Sequence, residues 1–291
     1  MTLVELVVAS AERLKAAGVS FGHGTGNAFD EAAWLVTWSL GLPLDALETK
    51  GRRALSADEQ AKAQALIGRR IETRKPAAYL TGEAWLQEIP FTIDERAIVP
   101  RSYIAELLVD IEETGTLDAW LSDQTGRVLD LCAGNGSLAV IAAMAYPEIT
   151  VDAADISPAA LELARVNVAR HALGDRIRIV ESDLFARLPD RYDLILCNPP
   201  YVNDTSMAAL PAEYRAEPAL ALAGGSDGMD LIRRIVAEAA DHMSDDAVLV
   251  LEVGHERSHF ERACPRLECA WLETSGGGDS VVLIERRALV G

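Results

Sequence analysis

Lysine is scarce in this sequence, and long apolar runs are absent from it. All four lysines lie at or before Lys75, so the rest of the chain offers no lysine for a P-loop or a Schiff base. No run of about 18 apolar residues occurs, which excludes a helix long enough to cross a bilayer. The N-terminal stretch reaches an acid at Glu5 and lacks a basic flank, unlike a secretory signal. We therefore expect a cytoplasmic protein that does not enter a membrane.

Cysteine is also scarce, with four residues in 291. Cys132 and Cys197 fall at the ends of apolar, strand-like runs. Neither they nor Cys264 and Cys269 show the C-x-x-C spacing of paired ligands or the framework of a disulfide-stabilised domain. The pattern predicts reduced thiols in a reducing compartment.

The charge is strongly negative and unevenly distributed. Lys and Arg number 27 against 45 Asp and Glu, a formal net charge of −18. Residues 1–100 contain 11 basic and 13 acidic side chains, whereas residues 101–291 contain 16 and 32. An acidic surface repels phosphate backbones and attracts basic partners. The composition therefore disfavours nucleic acid as the direct substrate and favours a basic protein, and it leaves the oligomeric state open.

Residues 1–75 show a helical pattern, with apolar residues three and four apart and few β-rich runs. The first helix is predicted to end at Gly18 and the second to begin near Asp30. A third helix follows Ser56, because Glu59 three residues later completes a capping box. We interpret this region as a small helical domain.

Residues 76–100 have a different composition. Two short extended runs, 84–86 and 91–93, lie on either side of Pro90 and predict a hairpin. We interpret the segment as a β-hairpin linker between two domains.

Strand-like and helical runs alternate over residues 101–291. The strand-like runs are 127–131, 149–153, 177–180, 192–196 and 247–253. Helical patterns at 158–170 and 230–243 lie between them, which is typical of a parallel sheet covered by helices. Residues 271–273 and 281–284, separated by a glycine-rich turn, predict a closing antiparallel hairpin. The predicted fold class is α/β, a mostly parallel Rossmann-like sheet with a C-terminal antiparallel hairpin and a small N-terminal helical domain.

The first of these strand-like runs, 127–131, is followed by a loop that contains Gly134 and Gly136. The two glycines allow a sharp turn, so that the backbone approaches a ligand at a helix N-terminus. A cofactor with a ribose then needs an acid about 20 residues further on, to bind its hydroxyls. Asp155 lies 19 residues after Gly136. The loop predicts a nucleoside cofactor, but the glycines alone do not say which one.

The fourth strand ends in Asn198, Pro199, Pro200 and Tyr201, at the edge of the sheet where parallel sheets bind ligands. The prolines leave rigid carbonyl acceptors, Asn198 adds a side-chain acceptor, and Tyr201 adds an aromatic face. Such a set suits a planar NH2 group whose nitrogen lone pair is delocalised and poorly nucleophilic. Acceptors aimed at both hydrogens stabilise the charge that develops when this nitrogen attacks a methylsulfonium. The tetrapeptide therefore predicts attack of such a nitrogen on an electrophile, for example a methylsulfonium held in line with it, without a histidine or carboxylate general base.

These motifs resemble those of the class I S-adenosylmethionine-dependent methyltransferases. The loop 130–136, Asp155, residues 182–185 and the tetrapeptide 198–201 occur in that family's order, and a closing hairpin is its hallmark. Over nearly its whole length the chain resembles, more narrowly, the protein-glutamine methyltransferases, which also carry a helical N-terminal domain and a linking hairpin.

Two branches of that narrower family act on different proteins. One methylates peptide-chain release factors, and the other methylates the third protein of the large ribosomal subunit. Residues 22–25, 99–102 and 210–218 resemble the ribosomal-protein branch. The resemblance therefore implies S-adenosylmethionine as cofactor and a glutamine side chain of a basic ribosomal protein as acceptor, with release factors as the alternative.

The resemblance also implies a division of the chain and a set of site residues. Residues 1–75 would recognise the substrate, residues 76–100 would be the linker, and residues 101–291 would be the methyltransferase domain. Catalysis would depend on Asn198, Pro199, Pro200 and Tyr201. The cofactor would be bound by Cys132, Ala133, Gly134, Asn135, Gly136, Asp155, Asp183, Leu184 and Asn198. The methionine part would lie on the loop and the ribose on Asp155, with the adenine beside Asp183 and Leu184, where release-factor enzymes often place an aromatic residue in the position of Leu184.

Three alternatives involve other activities. An adenine-specific DNA methyltransferase uses the same tetrapeptide, but it needs a basic groove, and residues 101–291 are acidic. His255, Glu256 and His259 fit the zinc-peptidase pattern H-E-x-x-H, which needs both histidines on one helix. Because His255 directly follows a predicted strand, we predict no metal site. A non-catalytic module with the same fold is disfavoured by the intact tetrapeptide.

Two further groups of charged residues have open roles. Tyr214, Arg215 and Glu217 either line a substrate entrance or belong to a solvated loop of mixed charge. Arg101 and Glu106 are expected to pair with each other, either near the cofactor or as an ordinary ion pair where the domains meet.

Overall fold

A computed structural model describes residues 1–109, 117, 119–122 and 124–290 of the chain. Five helices occupy residues 1–81, a stretch that is described in full. They are α1 (Leu3–Ala16), α2 (Ala28–Ser39), α3 (Ala46–Lys50), α4 (Ala57–Thr73) and α5 (Ala77–Thr81). Apolar faces of α1, α2 and α4 meet in one core, which explains the helical periodicity of this region.

Side chains at the N-caps determine where two of these helices begin. Ser56 accepts a hydrogen bond from the backbone N–H of Glu59, whose carboxylate accepts one from the N–H of Ser56, so the predicted capping box of α4 is confirmed. The predicted start of α2 near Asp30 is two residues too late. Asn27 Oδ1 accepts two of the first free N–H groups, one of them from Asp30, and the helix therefore begins at Ala28.

The predicted hairpin is present, but its turn differs from the prediction. Its strands are β1 (Glu83–Leu86) and β2 (Ile89–Thr92). Pro90 does not lie between the strands: it belongs to β2 and faces Trp85. The turn consists of Gln87 and Glu88, both at positive φ (50° and 61°), as a two-residue hairpin loop requires. Proline is tolerated here because both strands of a two-stranded ribbon are edge strands.

Seven strands in the described residues form a second sheet. They are β3 (Arg127–Leu131), β4 (Thr150–Asp155), β5 (Ile177–Glu181), β6 (Tyr192–Cys197), β7 (Met243–Glu252), β8 (Ala270–Leu272) and β9 (Val281–Glu285). Their spatial order is β5-β4-β3-β6-β7-β9-β8. The first five strands in this order run parallel, and β9 is antiparallel to both β7 and β8. The predicted fold class is confirmed.

Seven further α-helices in the described residues follow along the chain from residue 104. They are α6 (Ile104–Leu108), α7 (Ser137–Ala145), α8 (Pro158–Arg170), α9 (Asp204–Ala209), α10 (Asp230–Glu238), α11 (Arg257–Ala263) and α12 (Arg286–Leu289). The predicted helix over residues 230–243 is too long, since α10 ends at Glu238 and Met243 already begins β7. Ala239 and Met243 are both buried in the same core, so the apolar pattern continues past the end of the helix. No helix in the described part of the chain is long and apolar enough to cross a bilayer.

The hydrophobic cores show where the N-terminal helical region lies relative to the sheet. Val128 and Leu129 of β3 are buried on opposite faces, as expected for a parallel strand covered on both sides. Ala160 and Leu163 of α8 belong to the core of the N-terminal helices. Because α8 follows β4, the helices of residues 1–81 lie near the carboxyl end of that strand.

Candidate active site

A cavity of about 190 Å³ lies at the carboxyl ends of β3, β4 and β6. Leu131, Asp155 and Asn198 line it from the sheet. Residues 96–98, which precede α6, line it from a second side. The loop between β6 and α10 contributes Pro218, Leu220 and Ala221. The lining is mostly apolar with a few polar groups, which is the usual character of a site for a small organic ligand.

Two residues of the loop after β3 face this cavity. Cys132 and Gly134 line it, and both have positive φ, 62° and 54°. A positive φ is unfavourable for cysteine and such backbone conformations cluster at binding sites. A Cβ on Gly134 would meet no atom within 4 Å, so the backbone there is open to a ligand.

The other three residues of the loop hold its shape and do not line the cavity. The N–H of Ala133 donates to the carbonyl of Ala154, 3.0 Å away, at the end of β4. Asn135 Oδ1 accepts the N–H of Ser137 at the start of α7. Gly136 lies against α8, where a Cβ would come within 3.1 Å of the Ala164 methyl. All five residues are predicted to bind the cofactor, whereas the structure separates the two that line the cavity from the three that shape the loop.

Asp155 joins the end of β4 to the loop. Its carboxylate accepts the N–H of Gly134 and the N–H of Ser157, each at 2.8 Å, and also lines the cavity. Burial raises the pKa of Asp155, and hydrogen bonds from the backbone N–H groups of Ser157, Gly134 and Ile156 oppose that rise only in part. The carboxylate is thus fixed at the rim of the cavity with acceptor capacity left over.

Asp183 and Leu184 line the cavity beyond β5. Leu184 is buried at a φ of 46°, and its carbonyl accepts the hydroxyl of Ser182 at 2.7 Å. Asp183 is exposed and pairs with Arg234 of α10, which also lines the cavity. Apolar contact on this side comes from Leu184, and Arg234 is a cavity residue that no motif in the sequence predicts.

The tetrapeptide after β6 is divided in the same way. Asn198 and Pro200 line the cavity, while Pro199 is buried and Tyr201 is half-buried outside it. The Asn198 side chain makes no hydrogen bond to any described residue. It is therefore a carboxamide with free donors and acceptors at the edge of the cavity.

Tyr201 is fixed by a carboxylate that the sequence analysis missed. Its hydroxyl donates to Glu252 Oε1 at 3.0 Å, and Glu252 Oε2 accepts the Ser102 hydroxyl at 2.6 Å and the Tyr103 N–H at 3.0 Å. Burial raises the pKa of Glu252, and burial together with this carboxylate raises the pKa of Tyr201. An acid inside the apolar run of β7 was the signal available in the sequence.

Three glycines pack against Tyr201 so closely that no side chain fits. A Cβ on Gly224 would lie 2.8 Å from the Tyr201 Cα, and one on Gly228 would lie 2.2 Å from its carbonyl oxygen. A Cβ on Gly254 would lie 2.4 Å from the ring. The backbone and ring of Tyr201 are therefore held from three sides.

The charged residues with open roles take positions that the sequence did not reveal. The expected pair between Arg101 and Glu106 is wrong: Arg101 forms two hydrogen bonds to Glu217, each of 2.7 Å, and Glu106 binds Ser275. Glu217 is buried, so the loop is not solvated there, whereas Arg215 is exposed. The partner of Arg101 follows from tertiary structure and not from nearness in sequence.

The H-E-x-x-H pattern does not lie on one helix. The helix α11 begins at Arg257, after His255 and Glu256. Glu256 binds His259 Nδ1 and the side-chain amide of Asn203. The two histidines therefore lack the spacing along a helix that the zinc-peptidase pattern needs.

Comparisons with known proteins agree with this architecture. Residues 109–214 match the model of the methyltransferase small domain, and residues 5–82 match that of the PrmC N-terminal domain. The ribosomal protein uL3 glutamine methyltransferase of Bordetella pertussis is 51% identical over 291 residues, 99% of this chain and 96% of the relative. The protein of that name from Burkholderia pseudomallei is 49% identical over 99% of this chain and 95% of the relative. The chain belongs to this family.

Solved structures show the same fold at low identity. The catalytic domain of hMettl16 in complex with MAT2A 3′UTR hairpin 6 superposes with a TM-score of 0.52 at 13% identity, covering 79% of this chain and 81% of that one. This likeness concerns the fold alone.

The cavity fits the methyl donor of this family, S-adenosylmethionine. The open backbone at Gly134, the Asp155 carboxylate and the apolar wall at Leu184 offer space, a hydroxyl acceptor and a surface for a flat ring. The protein is an S-adenosylmethionine-dependent methyltransferase.

Proposed function

We propose that this protein transfers a methyl group from S-adenosylmethionine to the side-chain amide nitrogen of a glutamine in ribosomal protein uL3. Relatives named for this reaction are 44–51% identical over nearly the whole chain. The observation that carries the proposal is the free carboxamide of Asn198 at the edge of the donor cavity, beside the rigid Pro200. This is the group that an amide acceptor requires.

The donor-side roles follow from which residues line the cavity. When bound, S-adenosylmethionine supplies a sulfonium-activated, electrophilic methyl group. Cys132 and Gly134 would bind its methionine part and Asp155 its ribose hydroxyls, with Asp183 and Leu184 beside the adenine. Ala133, Asn135 and Gly136 would support this site by holding the loop in shape.

The acceptor-side role belongs to the tetrapeptide. A glutamine amide is planar, and its nitrogen lone pair is shared with the carbonyl, so the nitrogen is a poor nucleophile. Asn198 Oδ1 and a backbone carbonyl of the Pro-Pro pair would accept its two N–H bonds and favour the charge that develops on nitrogen as it attacks. We call the tetrapeptide of residues 198–201 the acceptor corner. Tyr201, oriented by Glu252, would provide its aromatic side. No side chain needs to remove a proton before transfer. The N–CH3 bond would form as the S–CH3 bond breaks, a neutral thioether would leave, and the positively charged nitrogen would then release one proton to solvent.

The charge distribution supports a basic protein as acceptor. Residues 101–291 carry 16 basic and 32 acidic side chains, which favours encounter with a basic ribosomal protein and disfavours nucleic acid as direct substrate. We assign recognition of the ribosomal protein to the helices of residues 1–75. Residues 76–100 link these helices to the methyltransferase domain of residues 101–291. Such an enzyme would act in the cytoplasm, where ribosomal proteins are made, without a membrane partner.

The test offers isotope-labelled S-adenosylmethionine with purified uL3, with a peptide-chain release factor and with DNA, in parallel reactions. We expect label on uL3, located by mass spectrometry on one glutamine side chain. Label on the release factor alone would assign the protein to the other branch. Label on DNA alone would contradict the proposed acceptor chemistry.

A further inference from the structure

The three segments that resemble the ribosomal-protein branch meet at one place. Segment 22–25 contributes His23, segment 99–102 contributes Arg101, and segment 210–218 contributes Tyr214 and Glu217. We call these four residues the junction cluster. The rings of His23 and Tyr214 are 4.2 Å apart, and the Arg101 guanidinium lies 5.5 Å from the centre of the Tyr214 ring. The cluster joins the N-terminal helical region, the linker and the loop that follows the tetrapeptide.

Glu217 is the centre of the junction cluster. Its side chain is fully buried and accepts both terminal NH groups of Arg101 at 2.7 Å and the N–H of Val99 at 2.9 Å. His23 Nε2 lies 3.5 Å away. Burial alone raises the pKa of Glu217, but His23 and the charge of Arg101 outweigh it and hold the pKa at about 2. The group is therefore an ionised carboxylate at neutral pH.

This carboxylate connects two sides of the donor cavity. Residues 96–98, just before Val99, line the cavity from the linker, and Pro218, just after Glu217, lines it from the loop. Because Glu217 binds the Val99 N–H, it fixes the separation of these two sides.

The same segments lead to the acceptor corner. Beyond the cavity the loop pairs with the chain just after the tetrapeptide: the Val202 N–H donates to the Leu222 carbonyl at 2.9 Å. On the other side, Ser102 follows Arg101 and binds Glu252, which accepts the Tyr201 hydroxyl. On the linker side, Arg101 thus lies between the cavity residues 96–98 and Ser102. On the loop, Glu217 directly precedes the residues that line the cavity and then lead to Leu222.

We propose that Glu217 is a positioning residue for methyl transfer, which aligns the acceptor corner with the donor cavity and with the helical region that binds the acceptor protein. This inference rests on the proposed function. Misplacement of a reacting group by about 1 Å lowers a rate on the order of 100-fold. Loss of the carboxylate therefore acts on turnover at saturation and not only on stability.

Glu213 in the same loop provides a matched control. It is also fully buried and also binds the helical region, through Arg70 at 3.2 Å and Arg74 at 2.8 Å. Neither arginine nor any residue next to Glu213 lines the cavity. A substitution at Glu213 removes a buried ion pair of similar kind without touching the connection between cavity and acceptor corner.

The experiment compares Glu217→Gln and Glu213→Gln in the full-length protein. It measures kcat and KM for uL3 at saturating S-adenosylmethionine, together with the melting temperature. We expect the melting temperatures of the two variants to fall by a similar amount. Glu217→Gln is expected to lower kcat by about 10- to 100-fold, while Glu213→Gln keeps kcat within about threefold of the wild type. Losses of kcat that simply follow the loss of melting temperature in both variants would overturn the proposal.

Arg101→Lys provides the answer should Glu217→Gln fail to fold. It keeps the charge but cannot form the paired contact with Glu217, and we expect about a tenfold lower kcat with a nearly unchanged melting temperature. Wild-type kcat in this folded variant would overturn the proposal. The reaction of the wild type distinguishes a failure of the proposed function from a failure of the role of Glu217. If the wild type does not methylate uL3, the proposed function is contradicted. If the wild type is active and the variants are equally active, only the role of Glu217 is contradicted.

Discussion

Asp155 at the cavity is a half-buried carboxylate and Glu217 in the junction cluster is a fully buried one, and their partners differ in kind. Asp155 accepts two neutral backbone N–H groups, from Gly134 and Ser157. Glu217 accepts two hydrogen bonds from the charged guanidinium of Arg101 and one from the backbone N–H of Val99. Accordingly, burial raises the pKa of Asp155, whereas the pKa of Glu217 is held at about 2.

Neutral backbone partners and a charged partner have different consequences for a carboxylate that is withdrawn from solvent. Neutral dipoles shape the donor loop without fully compensating the burial of a charge, so this carboxylate keeps capacity for a ligand. A charged partner compensates the burial and fixes two distant segments together, which makes removal of either partner expensive. The donor cavity is expected to respond to substitution through ligand affinity, and the junction cluster through stability and turnover.

The largest effect on stability is expected from Arg101→Met, which leaves Glu217 buried without its charged partner. Removing one member of a buried ion pair costs about 3 kcal/mol of unfolding free energy. Urea unfolding measures this loss, and Arg101→Met combined with Glu217→Leu should recover much of it, because no charge then remains buried. A single variant as stable as the wild type would mean that solvent reaches Glu217, against its buried position.

A smaller effect, on ligand affinity, is expected from Asp155→Asn. The substituted side chain presents an NH2 group to one of the two backbone donors and loses its charge toward the ribose. A hydrogen bond to a charged group contributes about 1.5–3 kcal/mol, so the Kd for S-adenosylmethionine should rise about 10- to 100-fold. Calorimetric titration checks this, with kcat at saturating donor changing little. Unchanged affinity would remove Asp155 from the donor site.

The smallest effect is a pH dependence of opposite sign at the two carboxylates. For Glu217 the folded pKa of about 2 lies below the ordinary 4.5, so its stabilisation is complete above pH 4.5 and is lost as pH falls toward 2. The stability difference between wild type and Glu217→Gln should therefore shrink by about 1 kcal/mol between pH 7 and pH 3.5. For Asp155 the folded pKa is raised, so its contribution is present at low pH and lost as pH rises. If the stability difference from the wild type changed with pH in the same direction for Glu217→Gln and for Asp155→Asn, the assignment of their partners would be contradicted.

The donor loop and the tetrapeptide could be predicted from the sequence because each is contiguous and each follows a strand. In a parallel sheet all strands end at one edge, so alternation of strands and helices already places Gly134, Asp155 and Asn198 together. The structure brings these three residues to one cavity, as expected. It also separates residues that face the cavity from those that hold the loop, such as Gly136, and sequence spacing alone contains no such distinction.

The junction cluster could not be predicted in the same way. Arg101 and Glu217 are 116 residues apart, and no periodicity relates them. Nearness in sequence suggested Glu106 as the partner of Arg101, but Glu106 is bound to Ser275 on another part of the surface. Likewise, the contact between Glu252 and Tyr201 depends on how β7 lies beside β6. Partners of this kind are chosen by tertiary packing, which a single sequence does not display.

The most direct test of the account is the turnover of Asn198→Ala at saturating S-adenosylmethionine and uL3, measured together with the Kd for S-adenosylmethionine. Removing one group that stabilises developing charge lowers kcat by about 100- to 1,000-fold. We predict a loss of this size with a Kd within about threefold of the wild type, since Asn198 is proposed to accept the glutamine N–H. Turnover close to that of the wild type, with the donor bound normally, would contradict the central claim that this carboxamide activates the acceptor nitrogen.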